Sequence, residues 1–302
     1  MSDGANGGAA PLPTPGQRVS GIDFPSDYRL PPRPHDDAPP AVHDAARQTA
    51  FVLGGDLRLF AEGMNLQIRL LNDSSHSRYR THIYAAVVGM WSRVFSSLAA
   101  SCDLIAQGSY APVPNLVRSA CELVAAEHQL YAEERGELIG WMLTHLKADE
   151  EHRAFDAGLG HYFAGSTLAA DAGLRSVYRA ASDLGRPNFG ATLLIVGPES
   201  NNQRLAYTFD DHAFHTAWAE LALGWLLRLC ERQHAVAIHM RDVFNVRTEM
   251  HGAYTDYAIR VDRALTGATR CRMEEIDAGG YKRWLIHNWR RQPSGAPKKI
   301  LL

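Results

Sequence analysis

From Ala41 onward the apolar positions recur every three to four residues, the period of an amphipathic α-helix. The pattern predicts helices over 41–71, 76–108, 113–133, 136–156, 166–183, 211–244 and 249–267. The breaks have local causes. Asn72-Asp73-Ser74-Ser75 is a turn and capping cluster, Pro112 and Pro114 suit the first turn of a helix, and Gly158 and Gly160 suit the end of one. In 76–108, Tyr84, Val87, Trp91, Val94, Phe95, Leu98, Cys102 and Ile105 share one face, while Ala86, Gly89, Ser96, Ser97 and Ala100 lie opposite. Apolar on one side and small on the other, this helix is expected at the centre of an all-α, multi-helix bundle.

One stretch breaks the period. Ala191–Val196 is β-rich, 197–202 is turn-like and Arg204–Phe209 can return, so a small β-hairpin is expected as an insertion near 191–209. Residues 1–40 hold nine of the fifteen prolines and five glycines without an apolar period. They read as a disordered or extended tail, with Ile22, Phe24 and Tyr28 able to dock as a strap. The organisation expected is therefore a tail over 1–40, a bundle over 41–270 and a basic, aromatic segment over 271–302.

Composition narrows the class without naming a reaction. The formal net charge of −2 gives no global field for nucleic acid or acidic substrates. Cys102, Cys121, Cys230 and Cys271 form no Cys-x-x-Cys pair, which fits a reducing cytoplasm. The first residues lack the basic and apolar regions of a signal peptide. The apolar stretch from Ile83 to Trp91 is about half of the roughly 20 residues a membrane span needs. A cytoplasmic protein with no cofactor and no membrane partner is expected.

Several constellations carry candidate chemistry. His145, Asp149 and His152 share one helical stripe, the spacing a metal site on a bundle uses. The charged neighbours Lys147, Glu150, Glu151 and Arg153 make a solvated face the simpler expectation. Glu231 and His234 have Glu-x-x-His spacing, but the helical wheel turns them away from the apolar face of 211–244. Arg228, Arg232 and His239 lie on one flank of that helix, where arginines would hold phosphate and a histidine would move protons. Arg118 and Glu122 stand one turn apart, the spacing of a surface ion pair. Glu127, His215 and His251 fall on apolar sides of their helices; a histidine or arginine beside Glu127 would make a pocket. The segment Tyr281–Arg291, with Lys298 and Lys299, interleaves aromatics and bases. Nucleic acid can be read there by stacking, and packing on the body is the plainer expectation.

Tyr110-Ala-Pro-Val-Pro-Asn-Leu-Val-Arg118-Ser-Ala-Cys-Glu122, followed by Tyr131, resembles a bacterial all-helical family of no established activity. In that family a helix carries Arg-Ser-x-x-Glu. Arg186-Pro187-Asn188-Phe189-Gly190 is similar to its Pro-Asn-aromatic-Gly segment, with Arg186 where the family usually has histidine. The resemblance covers about residues 76–245. It implies a loosely HEPN-like bundle, draws attention to Arg118, Glu122, Arg186 and Asn188, and puts any histidine-dependent activity in doubt. By the residues themselves, Asn188 bridges a turn and Gly190 is suited to a positive φ.

Three functional expectations follow. A bundle that binds a protein or small-molecule partner without catalysis comes first. An HEPN-like RNA-binding or ribonuclease factor, completed by a homodimer and with nucleic acid held through 281–299, comes second. A metal-dependent helical enzyme comes third.

Overall fold

The computed structural model describes residues 25–74, 82–132, 166–194, 203–206, 208–240, 244 and 246–302. It is mostly helical, with a three-stranded antiparallel sheet at its C-terminal end. In chain order the described helices are α1 (Pro40–Val52), α2 (Gly54–Ser74), α3 (His82–Ala106), α4 (Val113–Ala132), α5 (Ser166–Ala170), α6 (Ala172–Gly185), α7 (Phe189–Leu193), α8 (Thr216–His239) and α9 (Thr248–Leu265). No described helix is long and apolar enough to cross a membrane.

Two expected helices are split, each for a visible reason. The first breaks at Leu53, ahead of Gly54 and Gly55, where glycine weakens a helix interior. The fifth breaks at Asp171, whose carboxylate accepts from Leu174 N at 2.9 Å and so caps a new helix. The helix expected over 136–156 lies outside the described residues, and with it His145, Asp149 and His152.

The centre of the bundle is α8, not α3. From Thr216 to Leu227 every residue of α8 is buried, and Leu229, Cys230, Gln233, His234, Val236 and Ala237 continue inward. Apolar or small side chains all round a helix mark it as enclosed. On α3 the expected face is buried (Val87, Trp91, Val94, Leu98, Cys102, Ile105). The small face is open: Gly89, Ser96 and Ala100 are exposed, and nothing stands within 4 Å of where a Cβ on Gly89 would project. Small residues permit close approach without requiring it.

The strands are not where the β-rich run is. Ala191–Leu193 belongs to the short helix α7, and no strand occurs among the described residues of 191–209. Asn188 caps α7, accepting from Ala191 N at 2.7 Å, and its amide also donates to the carbonyls of Asp183 and Arg186. Gly190 takes no positive φ. The sheet is instead the C-terminal segment: β1 (Arg272–Ala278), β2 (Tyr281–Trp289) and β3 (Lys298–Leu301). Gly279 and Gly280 have φ of 68° and 82°, the two left-handed positions of a tight hairpin turn that pairs Ala278 with Tyr281.

Along β2 the buried positions run Trp284, Ile286, Trp289. The step of three at the end is a bulge at Asn288, φ 57°, whose amide donates to the carbonyls of Ala268 and Arg270. The sheet then docks on the start of α8. Thr216 N donates to Arg291 O at 2.8 Å and Ala217 N to Arg290 O at 3.0 Å, so the strand end satisfies N–H groups that open a helix. Trp284 Nε1 donates to Asp183 at 2.7 Å, fixing β2 to α6. Thus two of the three aromatics of this segment are spent on packing, and Tyr281 stays exposed.

Candidate functional site

Residues 25–39 contain no regular element and cross the outside of α1 to α3 as a strap. Tyr28 anchors it. Its backbone N donates to Asn65 Oδ1 at 2.7 Å and its carbonyl accepts from Asn65 Nδ2 at 3.1 Å. Its ring meets Phe60 and Phe95 edge-on at 5.6 and 6.0 Å. Beyond this anchor come Pro31, Pro32 and Pro34. Proline offers no N–H, so the strap cannot close onto α1 through those positions.

A groove of about 780 Å³ lies between strap and helix. Its walls are Leu30, Pro31, Pro32 and Pro34 on one side and Ala46, Ala50 and Phe51 on the other, with Leu57 and Ala106 also lining it. Four polar side chains line it: Arg33, His43, Arg47 and Thr49. Thr49 is 1% exposed and its hydroxyl has no partner. Phe51, at the end of α1, is 89% exposed. A smaller recess on the far side of the strap is lined by Asp103 and Gln107. Docking of Tyr28 as a strap is what the sequence allows, but the groove beside it has no sequence signal, since the prolines there read only as a tail.

Arg228 and Arg232 share the carboxylate of Glu231, and their charges are matched, while no contact joins either to His239 among the described residues. Arg228 donates to Glu231 at 3.2 Å and to Asp262 at 2.6 Å. Arg232 meets the same Glu231 oxygen at 3.0 Å and Asp171 at 3.2 Å. Burial pushes the Glu231 carboxyl up, and the two arginines oppose that. His239 is exposed, with Nδ1 on Ala235 O and its ring 5.7 Å from that of His128. Arg118 and Glu122 form the expected surface pair at 3.3 Å, and Arg186 is exposed beside Asn188.

Other candidates are structural. His234 is 2% exposed, contrary to the helical wheel, because α2 and α9 cover that side of α8, while Arg228, Glu231, Arg232 and Ala235 form the partly exposed stripe. Its Nε2 donates to Gly63 O at 3.0 Å, and its ring packs on Tyr254 and Tyr257. Burial lowers its pKa to about 4. Glu127 is fully buried, and its partner is Gln233 rather than a histidine or arginine. His251 is half-buried on α9. No group of three or more metal-binding side chains occurs among the described residues.

His215 does reach a recess, of about 130 Å³, together with Tyr110, Trp218, Asp211 and Arg291. Its Nδ1 accepts from Trp218 N, capping α8, which leaves the proton on Nε2. Burial, with Arg291 nearby, lowers its pKa to about 4. The recess is a fraction of the groove's size.

Comparison with known proteins gives no relative: no family model matches, no curated protein matches and no solved structure matches.

Proposed function

We propose that this chain is a non-catalytic helical-bundle protein that binds a small, largely apolar ligand in the groove beneath the strap. The observation that carries it is the groove itself. Its volume of about 780 Å³ falls within the roughly 300–1,000 Å³ of small-molecule sites, and its lining is apolar with a few polar groups. The reading also draws on what the other candidates do. Arg228 and Arg232 are each engaged by carboxylates, so a phosphate would have to displace Glu231, Asp262 or Asp171. Trp284 and Trp289 are closed off from stacking.

The test is titration of the full chain with the neutral environment-sensitive dye N-phenyl-1-naphthylamine. Ala50 lines the groove from an exposed position, so Ala50→Trp fills it without touching the core. Saturable dye fluorescence in the native protein, lost in a folded Ala50→Trp variant, is the expected result. No saturable binding, or binding unchanged by the substitution, would end this reading.

A further inference from the structure

The groove is apolar but its polar groups have one sign. Arg33, His43 and Arg47 line it, and no aspartate or glutamate does. The smaller recess on the strap's other side shares Arg33 and its flanking prolines with the groove and also has Asp103 in its lining. The cations differ in how far they are already satisfied. Arg47 pairs with Asp44 at 2.5 Å, one turn back on α1, which holds the Asp44 carboxyl below its ordinary range. His35, next along the strap, is with Asp37. Arg33 has no carboxylate partner among the described residues, although its guanidinium carries five donors. It sits in Pro31-Pro32-Arg33-Pro34, where flanking prolines restrict the backbone and hold the residue at the groove's edge.

An uncompensated guanidinium at the rim of an apolar channel favours a ligand with an anionic end. A charged head there stays at the water boundary, so it avoids the penalty of burying a charge. The apolar part removes Phe51, Ala50 and Ala106 from water. A wholly neutral ligand would leave Arg33 unused, and a cationic one would be repelled by its guanidinium.

We infer that the groove's ligand is a free amphiphilic monocarboxylate, an acyl-chain acid held by its tail under the strap and by its head on Arg33. This rests on the groove being the ligand site. The head contribution is that of an exposed ion pair, worth about 1.5- to 5-fold in affinity and weakened by salt.

The experiment displaces bound N-phenyl-1-naphthylamine from the full chain with decanoate and, in parallel, with decanol. Decanoate is expected to displace the dye at about 1.5- to 5-fold lower concentration than decanol. Arg33→Gln should bring the two together, and added salt should do the same. If decanol competes as well as decanoate, or if the preference survives Arg33→Gln, the anionic head is wrong while the groove stands. If the dye does not bind, the groove reading falls and takes this inference with it. Binding only to anionic vesicles, with no displacement by monomeric decanoate, overturns it in favour of a membrane surface. A dimer that Ala50→Trp dissociates, without any dye binding, overturns it in favour of a second copy of the chain.

Discussion

Gln233 Nε2 donates to Glu127 Oε2 at 2.5 Å, and neither side chain has any exposed surface. Glu127 Oε1 and the single amide oxygen of Gln233 have no partner. Burial drives the Glu127 carboxyl well above its ordinary value, and the Gln233 hydrogen bond offsets this only in part. The group therefore folds in its neutral form. A raised folded-state pKa contributes stability that is complete below the unfolded value, about 4.5, and is lost as pH rises toward the folded one. Glu127→Gln, neutral at every pH, should escape that loss. Its stability relative to the native protein is expected to rise by about 1.4 kcal/mol per pH unit above 4.5, until Glu127 itself ionises. Urea midpoints at pH 5, 6 and 7 check the slope.

How far this was legible depended on what faced what. The odd position of Glu127 could be read from Leu116, Ala120, Leu123 and Leu130 around it on the wheel. Its partner could not, because Gln233 lies 106 positions away on α8. The wheel failed for His234 for a related reason: α2 and α9 cover the side on which it lies, and the open stripe of α8 is only the narrow one through Arg228, Glu231, Arg232 and Ala235. The sheet did have a signal in Gly279-Gly280, flanked by residues of alternating burial. Charge and aromatics in 281–291 drew attention away from it. The β-rich run at 191–196 was judged on local preference, which capping by Asn188 overrides over the described part. The groove had no sequence signature, since it is a gap between a proline strap and a helix 10 to 20 residues later.

The two buried histidines set the acid side of the stability profile. His215 and His234 have pKa values lowered to about 4, chiefly by burial. The unfolded chain takes up their protons near pH 6.5, so it gains on the native state as pH falls below that. The loss should amount to about 1.4 kcal/mol per pH unit for each histidine and should level off near pH 4. Imidazole nitrogen spectra of the native protein should show both rings neutral at pH 5.5. A protonated His234 signal at that pH would contradict the enclosed site.

The junction of sheet and bundle rests on Glu220. Its carboxylate accepts from Arg290 at 2.6 Å and from Cys271 N at 2.8 Å, with side-chain exposures of 9% and 13% for the ion pair. Removing one partner of an enclosed pair strands the other charge, at a cost of about 3–5 kcal/mol. Glu220→Ala should therefore destabilise the protein by that order. Glu220→Ala with Arg290→Ala should cost less than the two single changes added together. Additive losses in denaturant titrations would mean that the pair is solvated.

Nucleic acid provides the sharpest contrast between the functional readings. Binding by counterion release needs basic side chains free to exchange water and acids for phosphate. On α8, Arg228 has two carboxylates and Arg232 has two, with Glu231 shared between them. In the C-terminal sheet, Arg290 holds Glu220, Arg291 faces Asp211 at 3.6 Å, and Lys282 faces Glu275 and Asp277. Stacking needs open aromatic faces, and Trp284 and Trp289 are each 9% exposed. Single-stranded RNA is therefore expected to bind weakly to the folded chain even at low salt, and to remain uncut. His239→Ala should change neither result. Tight RNA binding with a steep salt dependence, or cleavage abolished by His239→Ala, would restore the ribonuclease reading and would require the α8 carboxylates to yield to phosphate.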